Sequence, residues 1–289
     1  MSESLLCPLC GSALEPGIIT LHRSAYRRCS GCRSHRRETA EVSRLHSIEY
    51  SDRYGSRKEV REAARGRRPL WPLLLDRIEA DLGEGGRGRN PPRRLLDVGC
   101  GFGDFALLAR ERGWEVEGVE INPTMREACL AKGLNVRPTP IRELPFNGHA
   151  YNVITYLNVL DSLKTPTEEL ATVRRFLIEG GKIWIRVPNG ALHGPLLRGF
   201  SRVRTLSELW VRWGFSPLNE WLFTPEGLCQ ALRTAGFDQV EVIPAGVPHQ
   251  GLPLRILERA LRGVGAVRGG QVWSSSLLAS ARRPREDFV

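Results

Sequence analysis

Two groups of residues in this chain have types and spacings that carry chemistry. The first is four cysteines in two pairs, Cys7-Pro8-Leu9-Cys10 and Cys29-Ser30-Gly31-Cys32, separated by 18 residues. Each pair offers two thiolates from one tight turn, and two such knuckles complete a tetrahedron around Zn²⁺. All four positions would be filled by protein, so the metal would be structural and closed to catalysis; a redox dithiol or simply buried thiols is the alternative reading of the same residues. The second group is Asp97-Val98-Gly99-Cys100-Gly101-Phe102-Gly103, where an apolar strand runs into three glycines at alternate positions and then a helix. Glycines at such a turn let bare backbone N–H groups and a helix N-terminus approach a ligand. Glu120 lies 17 residues past Gly103 and closes the next apolar segment. A carboxylate at the tip of the second strand of a doubly wound fold holds the two hydroxyls of a ribose. The pattern predicts a nucleoside-bearing cofactor.

The glycines alone leave the cofactor open, because Gly101-x-Gly103-x-x-Ala106 also satisfies the dinucleotide fingerprint of nicotinamide and flavin enzymes. Asp97 tilts the choice. It can accept from an ammonium group, whereas a neighbouring pyrophosphate would repel it. Asp97 to Gly103, Val119-Glu120-Ile121-Asn122-Pro123, Glu143-Leu144-Pro145-Phe146, Tyr151-Asn152-Val153-Ile154 and Gly180-Gly181-Lys182-Ile183-Trp184-Ile185 follow in order. That order resembles the class I S-adenosylmethionine-dependent methyltransferases over roughly residues 93–190. The resemblance implies that Gly99, Gly101 and Gly103 close on the methionine and ribose portions of S-adenosylmethionine. Asp97 would bind its amino group, and Glu120 would accept both ribose hydroxyls. The chain departs from the family at Pro140, where an adenine-binding Asp is usual, at Tyr151-Asn152 in place of Phe-Asp, and at Ser162 in place of a histidine. A non-catalytic relative with a vestigial pocket therefore stands beside the enzyme as an expectation. No catalytic base is assigned; Tyr156, Asp161, His193 and Glu220 fall in segments expected to face the methyl acceptor.

The elements that must position these residues follow an α/β alternation. Leu70, Leu73, Leu74, Ile78 and Leu82 have helical spacing, which predicts a helix over 70–83. Strands are expected at 94–99, 115–121, 134–138, 151–157, 182–187 and 238–243, with a last one near 271–282 that the resemblance makes antiparallel. Helices are expected at 103–112, from Asn122-Pro123 to Lys132, at 166–178 and at 225–235. The expected fold is a Rossmann-like seven-stranded sheet behind a small zinc ribbon. We divide the chain into a ribbon (1–37), a linker or lid (38–69) and a methyltransferase domain (70–289) with insertions at 189–222 and 252–268. The first insertion gathers Trp210, Trp213, Phe215 and Trp221. The second has a basic amphipathic pattern that fits a weak peripheral membrane contact, or a cap on the sheet or a partner subunit.

With 289 residues and 41% hydrophobic composition, the chain can bury a full α/β core. No apolar run approaches the roughly 18 residues of a spanning helix, and Met1-Ser2-Glu3-Ser4 lacks the pattern of a signal peptide. Seven cysteines, three of them scattered, fit a reducing compartment, so the expectation is cytoplasmic. The formal charge of +10 suits phosphate or acidic sugar, or simply solvated arginine. Arg23, Arg27, Arg28, Arg33, Arg36 and Arg37 lie near the cysteines and can offset a four-thiolate zinc site. A zinc ribbon ahead of this core, with Tyr50-Ser51-Asp52-Arg53-Tyr54 and Asn219-Glu220-Trp221-Leu222-Phe223-Thr224-Pro225, resembles a bacterial group linked to surface polysaccharide or sugar-nucleotide metabolism. That implies a saccharide or small-molecule acceptor. RNA is the alternative, because some ribosomal RNA methyltransferases begin with a Cys-Pro-Leu-Cys module.

Overall fold

The computed structural model describes residues 6–21, 24–38, 62, 64–83, 92–145, 148, 150–200, 219–245 and 274–285. The cysteine segment forms an antiparallel meander of β1 (Leu14–Leu21), β2 (Ser24–Cys29) and β3 (His35–Arg37). After α1 (Leu70–Asp81) the expected alternation begins: β4 (Arg94–Val98), α2 (Asp104–Glu111), β5 (Glu115–Val119), α3 (Pro123–Leu130) and β6 (Asn135–Arg137). It continues through β7 (Tyr151–Leu157), α4 (Pro166–Arg174), β8 (Leu177–Pro188) and α5 (Gly190–Phe200). A two-residue strand β9 (Trp221–Leu222), α6 (Pro225–Thr234), β10 (Asp238–Ala245) and β11 (Ser276–Arg282) complete it.

The large sheet has seven strands in the order β10-β11-β8-β7-β4-β5-β6, with β11 antiparallel to both neighbours. Its central strands are covered on both faces, and their side chains alternate between two cores. Leu95, Val153 and Trp184 join Trp71, Leu75 and Ile78 of α1 on one face. Leu96, Ile154, Ile183 and Ile185 join Leu170 of α4 and Leu228 and Leu232 of α6 on the other. Because β4 pairs with β5 on one side and β7 on the other, the crevice above its carboxyl end is the switch point at which such sheets bind ligands.

Local signals placed most helix ends. Asn122 Oδ1 accepts from Met125 N at 3.1 Å, and Thr224 Oγ1 accepts from Gly227 N at 3.1 Å, with proline next in each case. One boundary needs correction. The helix expected over 166–178 ends at Arg174, and Gly180-Gly181 lies inside β8 instead of before it. Gly180 has φ 73°, and a Cβ on Gly181 would stand 2.8 Å from the Ile178 carbonyl oxygen, so the pair kinks a strand.

The ribbon does not stand apart from this core. β3 pairs antiparallel with β9, which comes from within the 189–222 insertion, so the small sheet has four strands. Cys7, Leu9, Leu14, Cys29 and Cys32 belong to the same apolar cluster as Leu228 and Leu232. Much of the 38–69 linker, together with Trp210, Trp213, Phe215 and the amphipathic segment 252–268, lies outside the described residues. Among the described residues no helix is long and apolar enough to cross a membrane.

Candidate functional site

β4 ends at Val98, and the chain turns through three left-handed glycines: Gly99 (φ 68°), Gly101 (φ 57°) and Gly103 (φ 72°). Their surroundings differ. A Cβ on Gly99 would stand 2.4 Å from Val159 Cγ2, and one on Gly103 would stand 2.4 Å from Leu134 Cδ1. These two glycines let protein pack against the turn. A Cβ on Gly101 would meet nothing within 4 Å. The middle glycine faces open space, which is where a ligand can come close to backbone.

Two carboxylates flank that space. Glu120 follows β5 and is only 3% exposed. Its oxygens accept from Gly101 N and Asn122 N, each at 2.8 Å, so the residue ties the second strand to the loop. Burial raises its pKa above the usual carboxylate range, and those N–H groups oppose the rise. Asp97 is buried in β4, opposite Thr155 of β7, whose Oγ1 donates to Asp97 Oδ1 at 2.7 Å. Burial pushes Asp97 up to about 7; the Thr155 bond works against the rise and the Glu120 charge adds to it. A buried carboxylate this strained is relieved by a cation, and an ammonium group fits the need. Asp104, the first residue of α2, is clamped by Arg68 at 3.0 Å and Lys132 at 3.1 Å, which fixes the end of the loop.

The structure thus gathers Asp97, Gly99, Gly101, Gly103 and Glu120 around one loop. The departures from the family motif have structural occupations. Asn152 Oδ1 accepts from Arg94 N at 2.8 Å, fixing the start of β4, and Tyr151 donates to Glu117 at 2.9 Å. Pro140 leads into a 3₁₀ turn, Ile141–Glu143, that buries Ile141 as an apolar wall. Of the residues expected to face an acceptor, Tyr156 is fully buried and donates to Glu169 at 3.0 Å, a strut between β7 and α4. His193 lies 2.8 Å from the Ser275 carbonyl, and burial pushes it down to about 4, so it is a neutral tie between segments. Asp161 and Glu220 are both buried near the ribbon. Thr155 and the Arg68–Lys132 clamp were not foreseen; the strand pairing that places Thr155 beside Asp97 joins residues 58 apart in sequence.

The four expected cysteines come together, with all Sγ atoms within 4.8 Å of one another. The Cys7–Cys32 and Cys10–Cys29 separations are 3.9 and 3.4 Å. Tetrahedral zinc with Zn–S bonds of about 2.3 Å requires sulfurs about 3.8 Å apart, so the donor set fits that ion. Each knuckle closes on a left-handed residue, Gly11 (φ 75°) and Arg33 (φ 61°), whose N–H returns to the carbonyl of Cys7 or Cys29. The arginines nearby are largely engaged elsewhere. Arg27 pairs with Glu38 at 2.7 Å, Arg36 lies over Trp221 at 5.8 Å, and Arg37 is buried.

A family model described as a methyltransferase domain matches residues 63–242. A ubiquinone biosynthesis O-methyltransferase from Roseobacter denitrificans is 27% identical over 186 residues, covering 60% of this chain and 73% of that one. One from Cereibacter sphaeroides is 28% identical over 51% of this chain and 61% of its own length. The chain therefore spans only about three fifths of some of these relatives. An S-adenosylmethionine-dependent methyltransferase from Archaeoglobus fulgidus has the same fold, with a TM-score of 0.53 at 20% identity over 82% of this chain and 99% of its own. One from Thermotoga maritima gives 0.52 at 17% identity, over 81% and 98%.

Proposed function

The chain belongs to the methyltransferase-domain family of S-adenosylmethionine-dependent enzymes, and from that premise we propose that it methylates a hydroxyl oxygen of a small acceptor, a saccharide or another small metabolite. The observation that carries the cofactor half is the pair of buried carboxylates, Asp97 and Glu120, on either side of the open Gly101. Asp97 would hold the ammonium group, Glu120 the ribose hydroxyls and Ile141 the adenine wall. Bound there, the cofactor supplies an electrophilic methyl group on sulfur, and the protein's task is to align the acceptor oxygen and exclude water.

Two observations support a small oxygen acceptor. The Roseobacter and Cereibacter relatives are named as O-methyltransferases. In addition, the ribbon turns one edge inward onto β9 and buries Arg37, so part of its basic surface is spent on the catalytic domain. The four cysteines would hold a closed structural zinc with no open coordination position. Titration with S-adenosylhomocysteine, followed by transfer of tritiated methyl into fractionated cell extract, tests this reading. A chain that binds no S-adenosylhomocysteine would be a zinc-ribbon scaffold.

The two carboxylates give the binding a pH signature. Asp97 must be ionised to hold the ammonium, so affinity should fall by up to about tenfold per pH unit below about 7. It should fall again above about 8, where an α-amino group loses its proton. Asp97→Asn should flatten much of the acid limb, leaving the part due to Glu120. A wild-type affinity constant from pH 5.5 to 7.5 would contradict the assignment.

A further inference from the structure

The 3₁₀ turn Leu160–Ser162 follows β7 directly and borders the cofactor crevice. Its leading residue, Val159, is the side chain that fills the space beside Gly99, so turn and glycine loop touch. Asp161 is buried in this turn, where the large sheet meets the ribbon. Arg186 of β8 and Arg67 act on it from the catalytic side. Tyr26 of β2 is fully buried across the seam, and its hydroxyl donates to the Asn219 carbonyl at 2.7 Å. Arg37 of β3 donates its backbone N–H to the Glu220 carbonyl at 2.8 Å. Tyr26 in turn lies within electrostatic reach of Arg37, Glu220 and Asp161.

This seam holds buried polar atoms with nothing to bond. Asp161 Oδ1, Asn219 Nδ2 and Trp221 Nε1 have no hydrogen-bond partner among the described residues. Leaving a buried polar atom unpaired costs free energy, most of all for a charged group, so three on the segments that meet at this seam call for a reason. Trp221 of β9 packs against the turn that carries Asp161, and Asn219 stands two residues before it. One carboxylate acceptor and two N–H donors on these neighbouring segments together complement a hydroxyl, which both donates and accepts. Two of the other candidates for handling a proton are spoken for: Tyr156 on Glu169, His193 on the Ser275 carbonyl.

We propose that this seam is the acceptor's polar subsite and that Asp161 takes up the proton the acceptor hydroxyl loses. The inference rests on the methyl-transfer reading above. An oxygen lone pair forms the new C–O bond while the C–S bond breaks, sulfur leaves with that electron pair as a thioether, and the hydroxyl proton passes to Asp161. Nothing is oxidised or reduced. Burial pushes Asp161 up to about 7, while its own backbone N–H, Arg67 and Arg186 restrain the rise, and a base that exchanges near neutrality is suited to this step. The ribbon, on this assignment, is a wall of the active site.

The test compares wild type, Asp161→Asn and Asp161→Glu in two assays. One is calorimetry with S-adenosylhomocysteine; the other is transfer of tritiated methyl from S-adenosylmethionine into fractionated cell extract, from pH 5.5 to 8.5. Asp161→Asn should keep S-adenosylhomocysteine affinity within about threefold and lose about a hundredfold or more in transfer. The wild-type rate at saturating cofactor should rise through pH 7 and level off. Asp161→Glu should retain measurable transfer with a displaced limb, and Asp161→Asn should lose the limb. Full transfer by Asp161→Asn, or its loss of cofactor affinity, overturns the assignment. Wild type that binds S-adenosylhomocysteine yet labels no fraction overturns the methyl-transfer reading, and the inference with it.

Discussion

Gly101→Val is expected to weaken S-adenosylhomocysteine binding by more than about a hundredfold while the protein stays folded. The separation of the two effects comes from where the new atoms go. A Cβ at position 101 meets no protein atom within 4 Å, so the side chain enters the open space above the loop that the ligand needs. Its folding cost is the φ of 57°, a strain of roughly 1–3 kcal/mol for a non-glycine residue. At about 2–4 °C per kcal/mol for a domain of this size, the melting temperature should fall by several degrees. Gly99→Val and Gly103→Val are the contrast. Each drives carbon to 2.4 Å from Val159 or Leu134, so each should cost the fold itself. Calorimetry and thermal melts on the three variants decide the matter. A folded Gly101→Val protein with wild-type affinity would mean that the ligand does not pass over this loop.

The carboxylates to which these roles are assigned also burden the fold. Asp97 and Asp161 carry folded pKa values of about 7 against an ordinary 3.8. An acid whose pKa is raised on folding destabilises the folded state as pH rises from the unfolded value, and the full penalty is present above the folded one. Asp161→Asn should therefore raise stability at pH 8 by an amount on the order of 2–4 kcal/mol, with the gain disappearing below about pH 4. A chain does not keep such a group in a buried seam for packing, since Asn has the same shape without the charge. Melts of the two proteins across that range would show the trend, and a destabilised Asp161→Asn at pH 8 would contradict it.

What the sequence disclosed depended on how local the cause was. The glycine turn, Glu120 and the cysteine knuckles are set by neighbours a few residues away, and proline-flanked caps at Asn122 and Thr224 fixed two helix starts. The expected end of α4 falls too late because Gly180-Gly181 resembles a helix stop, although here the residue that follows β11 holds the pair in a strand: Gly180 N donates to Arg283 O at 3.1 Å. Contacts between distant segments left no periodic trace. Trp221 belonged to an aromatic insertion in the sequence; in the fold it pairs with Arg36 of the ribbon, 185 residues earlier. That pairing brings Tyr26 within electrostatic reach of Asp161. No spacing rule predicts a two-residue strand.

The same pairing changes what removing a metal from the four cysteines should do. In a modular protein, stripping zinc would melt the ribbon and leave the catalytic domain intact. Here the first knuckle rests on two catalytic helices: Thr167 of α4 donates to the Pro8 carbonyl and Thr234 of α6 to the Leu9 carbonyl, each at 3.3 Å. The second knuckle reaches the N-terminus of α6, where Thr224 Oγ1 donates to the Cys32 carbonyl and Thr224 N donates to Ser34 Oγ. Leu9, Leu14 and Trp221 are buried in the cluster that includes Leu228 and Leu232, and exposing each costs roughly 1.5–3 kcal/mol. Structural zinc contributes on the order of 10 kcal/mol or more to a domain it folds. Chelation, or Cys29→Ser, should therefore lower the melting temperature of the whole chain by more than about 10 °C in one transition. Cys229→Ser, which alters a half-buried cysteine on α6 outside the cluster, should shift it by no more than a degree or two. Calorimetry with metal analysis separates the cases. Two transitions with the upper one unmoved would show that ribbon and catalytic fold are independent, and the ribbon could then no longer serve as a wall of the site.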